Sequence, residues 1–263
     1  MNGGSEKPEP GRRPLLHAVE TTYADCSACV HRHSLLASGR CEPGDVCLVA
    51  HSGRQIDRFL RRNPEYAESC LTDAFWERRA IASRYAPIEA ILDMVRDSDE
   101  VVRRAVALRL PPASLAPLRL DPDREVRITV AGRLPIELLG PMLHDADYLV
   151  RQRVAERLPH GQLARMAHDP EREVRKVVAR RLPPFALARM VGDEAPEVRR
   201  IVASRLLPGD AASLLHDPDW LVRLEVARRA PVEAIAELVD DPEADVRSRV
   251  RARLEGFLLE DES

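Results

Sequence analysis

A tandem repeat with a period of 24 residues dominates this chain of 263 residues. Its clearest marker is a Val-Arg pair, which recurs from Val102-Arg103 to Val246-Arg247 after a degenerate first copy at Arg78-Arg79. Fixed periods of this size indicate stacked supersecondary units, each of which buries its apolar face against its neighbours. We therefore predict an array of about eight units over residues 73–257, rather than one globular core.

Each unit has room for one α-helix and one shorter helical segment. In the unit from Asp169 to Gly192, Asp169-Pro170 predicts a helix start, because the carboxylate can accept from free backbone N–H groups and proline fits the first helical position. The helix is expected to end near Leu182, where two prolines follow. The remaining residues suffice for a turn or two, which fits a 3₁₀-helix. The predicted fold class is therefore all-α.

The arginine of the Val-Arg pair is predicted to be structural. At about 100° per residue, Arg175 falls within the apolar arc that contains Val174, Val178 and Leu182. An unpaired buried charge is costly, so this guanidinium needs a carboxylate partner. An aspartate column lies six residues before the arginine column in every unit, and stacking is expected to bring the two columns together as a ladder.

A second arginine column lies six residues further along each unit and has two interpretations. These side chains can extend past the helix surface and favour the negative end of the helix dipole. Alternatively, they form a guanidinium row that suits an acidic protein or a phosphate backbone. The candidate binding surface consists of Arg109, Arg133, Arg157, Arg181, Arg205 and Arg229.

The repeat motifs carry a family resemblance. A 24-residue unit with Val-Arg, Val-Ala, Arg-Leu-Pro and a Leu-x-x-Leu/Met tail resembles the leucine-rich repeat variant family over residues 73 to about 257. That resemblance implies α-helices and 3₁₀-helices in alternation, stacked into a right-handed superhelical solenoid. The aspartate and arginine spacing also resembles the ladder of HEAT repeats, whose units are longer. Glu255 replaces the usual proline, which fits a C-terminal cap, and residues 258–263 form a predicted polar tail.

Four cysteines precede the repeats in a predicted metal-binding module at residues 23–55. Cys26, Cys29, Cys41 and Cys47 give the spacing C-x2-C-x11-C-x5-C, in which the first pair can bind one centre from a tight turn. The spacing differs from the compact cysteine run of bacterial ferredoxins, so spacing alone favours zinc, with free thiols as a further alternative. Few apolar residues lie in this segment, so its folding is expected to depend on a metal.

The family resemblance changes the expected cofactor. Members of the leucine-rich repeat variant family can carry an N-terminal cysteine module with a [4Fe–4S] cluster, and this segment resembles that module. The resemblance implies that the four cysteines are the iron ligands. Cys70 is an alternative ligand, although its neighbours Leu71 and Phe75 favour a buried structural thiol. Residues 56–72 are predicted to form a capping helix, broken at Asn63-Pro64, that joins the module to the array.

Composition narrows the function. The net charge of −3 argues against a globally basic nucleic-acid binder, although a local basic stripe remains compatible with it. No apolar run approaches the length of a membrane span, and residues 1–22 are predicted to be a flexible tail. We expect a cytoplasmic protein that does not bind membranes, with cysteines that serve as metal ligands or free thiols rather than disulfides.

The predicted function is a non-enzymatic scaffold for an unidentified protein partner. The [4Fe–4S] cluster would be structural, redox-sensing or electron-transferring. The sequence contains no catalytic triad, phosphate-binding loop or paired-carboxylate site beyond what the repeat explains, so we expect no enzymatic activity. The alternative is a nucleic-acid-binding repeat protein that uses the second arginine column and holds structural zinc at its N-terminal cysteines.

Overall fold

The structure, a computed structural model, describes residues 24–261 and the side chains of these residues as far as Gly256. The predicted tail at residues 1–22 therefore lies outside the described part. The chain separates into two compact units, one up to Arg109 and one from Leu110 onward. Within residues 24–261 the structure has no named β-strand, and its one isolated bridge joins Glu42 to Val46. None of the described helices is long and apolar enough to cross a membrane.

One longer α-helix precedes the array, and each repeat contributes one more. These helices are α1 Gly53–Arg62, α2 Trp76–Ala82, α3 Glu100–Arg109, α4 Arg124–Arg133, α5 Tyr148–Ala155, α6 Arg172–Arg181, α7 Pro196–Ala203, α8 Trp220–Arg229 and α9 Ala244–Asp261.

Short helical segments alternate with the longer helices, as the sequence predicts. Four-residue α-helical turns lie at Ile88–Ile91, His160–Leu163, Pro208–Ala211 and Val232–Ile235. The 3₁₀ segments in the repeats are Leu92–Arg96, Pro112–Leu120, Ile136–Leu138, Gly140–His144, Ala164–Met166, Pro184–Met190, Ala212–Leu214 and Ala236–Leu238. Before the repeats lie a π-helical turn at Arg32–Leu36 and two 3₁₀ turns at Pro64–Tyr66 and Glu68–Cys70.

The repeat helix begins two residues later than predicted. Helix α6 begins at Arg172, and its N-cap is Glu171, whose side chain accepts a hydrogen bond from the backbone N–H of Glu173. The Asp169 carboxylate instead accepts the N–H of Glu171 at 2.9 Å, which forms a turn before the helix. The same carboxylate also binds an arginine from the preceding repeat, so it is not available as the helix cap.

The predicted apolar arc forms the core of each repeat. Val174, Val178, Ala179 and Leu182 are all at most 1% exposed. Full burial of a valine or leucine side chain stabilises a fold by about 1.5–3 kcal/mol, so the repetition of this arc accounts for much of the stability of the array. Helix α6 packs between α5 and α7, which agrees with repeats that bury their apolar faces against their neighbours.

The predicted ladder of aspartates and arginines is confirmed, and its geometry is more specific than the sequence indicated. Arg151 donates from Nε and Nη2 to the two carboxylate oxygens of Asp169, at 2.8 and 2.9 Å. Its Nη1 donates to the carbonyl of Asp145, six residues earlier, at 2.8 Å. Each such arginine therefore ties its own repeat to the aspartate of the next. Equivalent ion pairs are Arg79–Asp97, Arg127–Asp145, Arg175–Asp193, Arg199–Asp217 and Arg223–Asp241.

Helix α1 packs against α2 and begins three residues before the predicted capping segment at residues 56–72. Its Ile56, Phe59 and Leu60 are at most 1% exposed, and α1 packs directly against α2. The first aspartate of the ladder, Asp73, binds Arg78 of its own repeat at 2.6 Å. The first rung is thus closed within the first repeat.

Helix α9 is longer than the helices of the earlier repeats. Its backbone continues through the predicted end of the array at residue 257 and into the predicted tail, as far as Asp261. Helix α8, in contrast, ends at Arg229, and Pro231 follows it. The absence of a proline at Glu255 explains why α9 continues where the earlier helices end.

Candidate metal centre

A tight hairpin brings Cys41 and Cys47 together. Glu42 and Val46 exchange two backbone hydrogen bonds, at 2.8 and 2.9 Å, around a turn in which Gly44 has a φ of 80°. Only glycine adopts such a left-handed conformation without strain. The two cysteines flank the bridged pair on adjacent chain segments. The turn therefore explains why five residues separate these two cysteines.

A second turn presents the first cysteine pair. The Asp25 carboxylate accepts the backbone N–H and the hydroxyl of Ser27, which folds the chain immediately around Cys26. The N–H of Arg32 then bonds the carbonyl of Cys29 at 3.0 Å, at the start of the π-helical turn. This compact geometry is what a C-x2-C motif needs to direct two thiols at one centre.

All four predicted ligands line one cavity. Cys26, Cys29, Cys41 and Cys47 surround it together with apolar side chains such as those of Leu36 and Phe59. The cavity opens to solvent and encloses about 360 Å³ between the surrounding atoms, its mouth included. Cys47 is buried, whereas the other three cysteines are partly exposed. Bound groups here would have one protected side and one side near solvent.

The electrostatics of the cavity favour a cationic ligand. Burial, followed by repulsion from the nearby thiolates of Cys47, Cys29 and Cys26, raises the pKa of the Cys41 thiol above its usual range. Burial likewise raises the pKa of Cys47, although the backbone N–H groups of Val49 and Ala50 oppose the shift. Four thiolates in one place need positive charge to stabilise them, and bound iron supplies it.

The donor set fits a [4Fe–4S] cluster, which takes one cysteine thiolate per iron and so needs four donors around a cube. Among the side chains that the structure describes, residues 24–256, no three histidine, cysteine or carboxylate groups are arranged around a single-ion site. The two N–H groups that face Cys47 are also typical of iron–sulfur sites, where hydrogen bonds to sulfur adjust the reduction potential.

Helix α1 holds the cysteine hairpin in place. The side chain of Asn63 is fully buried and donates from Nδ2 to the carbonyls of Arg40 and Phe59, both at 3.0 Å. Arg40 also pairs with Glu65, and Arg58 of α1 pairs with Asp45 in the hairpin turn. The two ion pairs join partly exposed charges, which stabilise a fold little. The hydrogen bonds of the buried Asn63 are therefore expected to contribute most to holding the hairpin.

Arg78 links the cavity to the first repeat. Its Nε donates to the carbonyl of Leu48, the residue after Cys47, at 2.9 Å. Its Nη1 binds the Asp73 carboxylate at 2.6 Å. In sequence, Arg78 is recognisable only as part of a degenerate copy of the repeat marker, and Asn63 only as the residue before a helix-breaking proline. The substitution of arginine for the usual valine at position 78 was the available signal.

Cys70, the alternative ligand, is not among the residues that line the cavity. It is 4% exposed at the end of a 3₁₀ turn, and its thiol lies close enough to Arg78 and Asp73 to feel their charges. Burial raises the pKa of this thiol. Its surroundings agree with a structural thiol.

The second arginine column is engaged in hydrogen bonds to the preceding repeat. Arg157 donates from Nη1 to the carbonyl of Ala131, in the last turn of α4, at 2.7 Å. Burial without a facing carboxylate lowers the pKa of Arg157. Arg133 also has a partner. The same type of contact to a backbone carbonyl is made by Arg109, Arg181, Arg205, Arg229 and Arg253. These arginines thus bind carbonyls at or just after the C-terminal ends of the preceding repeat helices, and their predicted role as a binding surface stays a prediction.

Comparisons with known proteins agree with both parts of the chain. A family model described as "LRV protein FeS4 cluster" matches residues 22–69. A second, "Leucine rich repeat variant", matches residues 124–147, 172–195 and 220–243. A solved structure described as a leucine-rich repeat variant with a novel repetitive protein structural motif is 57% identical, with a TM-score of 0.85, over 89% of this chain and 100% of that one.

The chain is also similar to an uncharacterized 27.7 kDa protein in the nifB 3′ region of Rhodobacter capsulatus. The two are 42% identical over 89 residues, which is 34% of this chain and 36% of that relative. The chain therefore matches about a third of that protein's length.

A helical repeat array preceded by a four-cysteine cavity defines an iron–sulfur repeat protein. The chain belongs to the leucine-rich repeat variant family. Its N-terminal module carries an FeS4 cluster, which confirms the cofactor expected from the resemblance.

Proposed function

We propose that this protein is a non-enzymatic interaction scaffold whose cluster links the oxidation state of the N-terminal module to the surface available for a protein partner. The observation that carries the proposal is the unequal exposure of the four cysteines: Cys47 is buried, and Cys26, Cys29 and Cys41 are partly exposed. Such a site would keep a cluster in place while it exchanges electrons with a neighbour. When bound, the cluster supplies one-electron redox chemistry.

Residues of the chain would carry a change at the cluster into the array. Cys47 precedes Leu48, whose carbonyl binds Arg78 of the first repeat helix. Cys41 follows Arg40, whose carbonyl binds Asn63 at the end of α1. A shift of the cysteine loops therefore acts directly on α1 and α2. Both connections support coupling between the cluster and the beginning of the repeats.

The ligand assignment is tested by anaerobic purification and by measurement of iron, acid-labile sulfide and visible absorption. We expect a broad band near ~400 nm and near-equal iron and sulfide. Alanine at Cys26, Cys29, Cys41 or Cys47 should remove most of the iron. Cys70→Ala is the matched control, since it removes a buried thiol outside the cavity. Retention of iron in the four variants, or its loss in Cys70→Ala alone, would contradict the assignment.

The redox role is tested by hydrogen exchange of the holoprotein in its oxidised and dithionite-reduced states. We expect reversible differences in the cysteine loops and in α1 and α2. Chemical cross-linking in the two states should then capture different partners. Identical exchange and identical partners in both states would make the cluster a purely structural element.

A further inference from the structure

The last helix of the array leaves uncovered a face that each earlier repeat of its unit covers. Two columns show this. At the repeat position of Arg251, every earlier repeat of the second unit has a fully buried alanine, whereas Arg251 itself is exposed. At the position equivalent to Leu254, the leucine or alanine of each earlier repeat in this unit is at most 1% exposed. Leu254 itself is only half-buried. The buried alanines are Ala131, Ala155, Ala179, Ala203 and Ala227.

The ladder is open at the same face. Arg247 keeps the anchor of its column, since Nη1 donates to the carbonyls of Asp241 and Pro242, at 2.5 and 2.9 Å. In the preceding rung, Arg223 also binds both carboxylate oxygens of Asp241, at 2.7 and 3.0 Å. Among the described side chains, no carboxylate occupies the equivalent place beside Arg247. This end face, defined by Arg247, Arg251, Leu254 and Glu255, therefore combines two guanidinium groups that have no carboxylate partner among the described side chains with a partly exposed leucine.

We propose that the end face of α9 is the contact surface between two copies of this chain, joined by antiparallel packing of their last helices. Charge complementarity selects a second copy as the occupant. Arg251 and Glu255 lie one turn apart on the same side of α9. A two-fold axis that reverses the direction of the partner helix brings each Arg251 opposite the partner's Glu255. The half-buried Leu254 lies between the two ion pairs.

The substitution of arginine for alanine also distinguishes this face from the contacts between repeats. The buried alanines let neighbouring helices approach closely, whereas Arg251 is a longer, charged side chain that is exposed on α9. An ion pair with a second copy uses the same side chain favourably. A single pair of helices is a small interface, so the dimer should be weak and sensitive to salt.

Analytical ultracentrifugation of the full holoprotein tests the proposal. We expect a monomer–dimer equilibrium between about 1 and about 200 μM that shifts toward monomer in high salt. Arg251→Glu and Glu255→Arg should each weaken association about tenfold or more, because like charges then face each other. The double variant restores opposite charges and should recover most of the affinity. Both side chains are exposed, so circular dichroism should confirm an unchanged fold.

Arg249→Glu is the matched control, because Arg249 is exposed on the same helix but points about 160° away from Arg251. It should leave the association constant unchanged. A wild-type protein that stays monomeric throughout this range overturns the proposal. Equal weakening by Arg249→Glu, or failure of the double variant to recover, also overturns it.

Discussion

The cysteine segment at residues 24–50 and the repeat at residues 169–192 are of similar length, yet they are stabilised in different ways. Besides Cys47, the segment buries four apolar side chains, including Leu35 and Val46, and it arranges its cysteines around a cavity. The repeat buries seven, including Val178 and Leu187, and adds the ion pairs of the ladder. The repeat is thus stabilised by packing and ion pairs with the adjacent repeats, whereas the cysteine segment is expected to depend on a bound ligand.

Removal of the cluster should separate the two regions most clearly. Treatment with a chelator under oxidising conditions removes the cross-link among the four cysteines, and the small core of residues 24–50 should not remain folded without it. Hydrogen exchange should then show loss of protection in residues 24–50 but native protection in residues 124–243. Loss of protection across both regions would show that the cluster stabilises the repeats as well.

A broken rung should have the converse effect. Arg151→Met leaves the Asp169 carboxylate buried without its guanidinium partner, so the repeats should lose about 3–5 kcal/mol of unfolding free energy. Urea denaturation followed by circular dichroism measures this change, while the iron content should stay constant. The double variant Arg151→Met with Asp169→Asn should be less destabilised, because no isolated charge remains. Equal destabilisation of both variants would contradict the assigned cause.

Acid should weaken the ladder before it affects the apolar core. Burial alone would raise the pKa of Asp241, but hydrogen bonds from Arg223 and from the N–H of Glu243 outweigh burial and lower this pKa below 3.8. A lowered pKa stabilises the fold above the unfolded-state value of about 3.9, and that contribution disappears as the pH falls through the folded-state pKa. Asp241→Asn should therefore cost roughly 1–3 kcal/mol at neutral pH and nearly nothing at acidic pH. A pH-independent difference would exclude the ion pair as its source.

The smallest effect is expected at the helix caps. Arg157→Met removes a hydrogen bond from a guanidinium to the carbonyl of Ala131, so it should destabilise the repeats by about 1 kcal/mol. Thermal denaturation of the variant measures this loss, with the solvent-exposed Arg180→Met as a control. If the variant were as stable as the wild type, the hydrogen bond of Arg157 would not stabilise the fold, and another role for the second arginine column would be indicated.

The sequence predicted the repeats more accurately than the site. The periodic positions of Val174 and Val178, and the prolines after Leu182, were sufficient for the helix order and the buried arc. The helix start was misplaced, because an aspartate that binds an arginine of the preceding repeat looks the same in sequence as a helix cap. The role of Asn63 was invisible, because it depends on a contact across 23 residues of non-repeating chain.

Each ladder arginine makes two contacts at fixed separations along the chain, and these separations have an evolutionary consequence. An arginine binds a carbonyl six residues back and a carboxylate eighteen residues ahead, as Arg127 does with Asp121 and Asp145. The two intervals add up to one period, so removal or duplication of a complete period restores every bond on both sides of the change. A shorter insertion breaks at least one rung. Such an array can gain or lose length in whole repeats while its cofactor module remains the same.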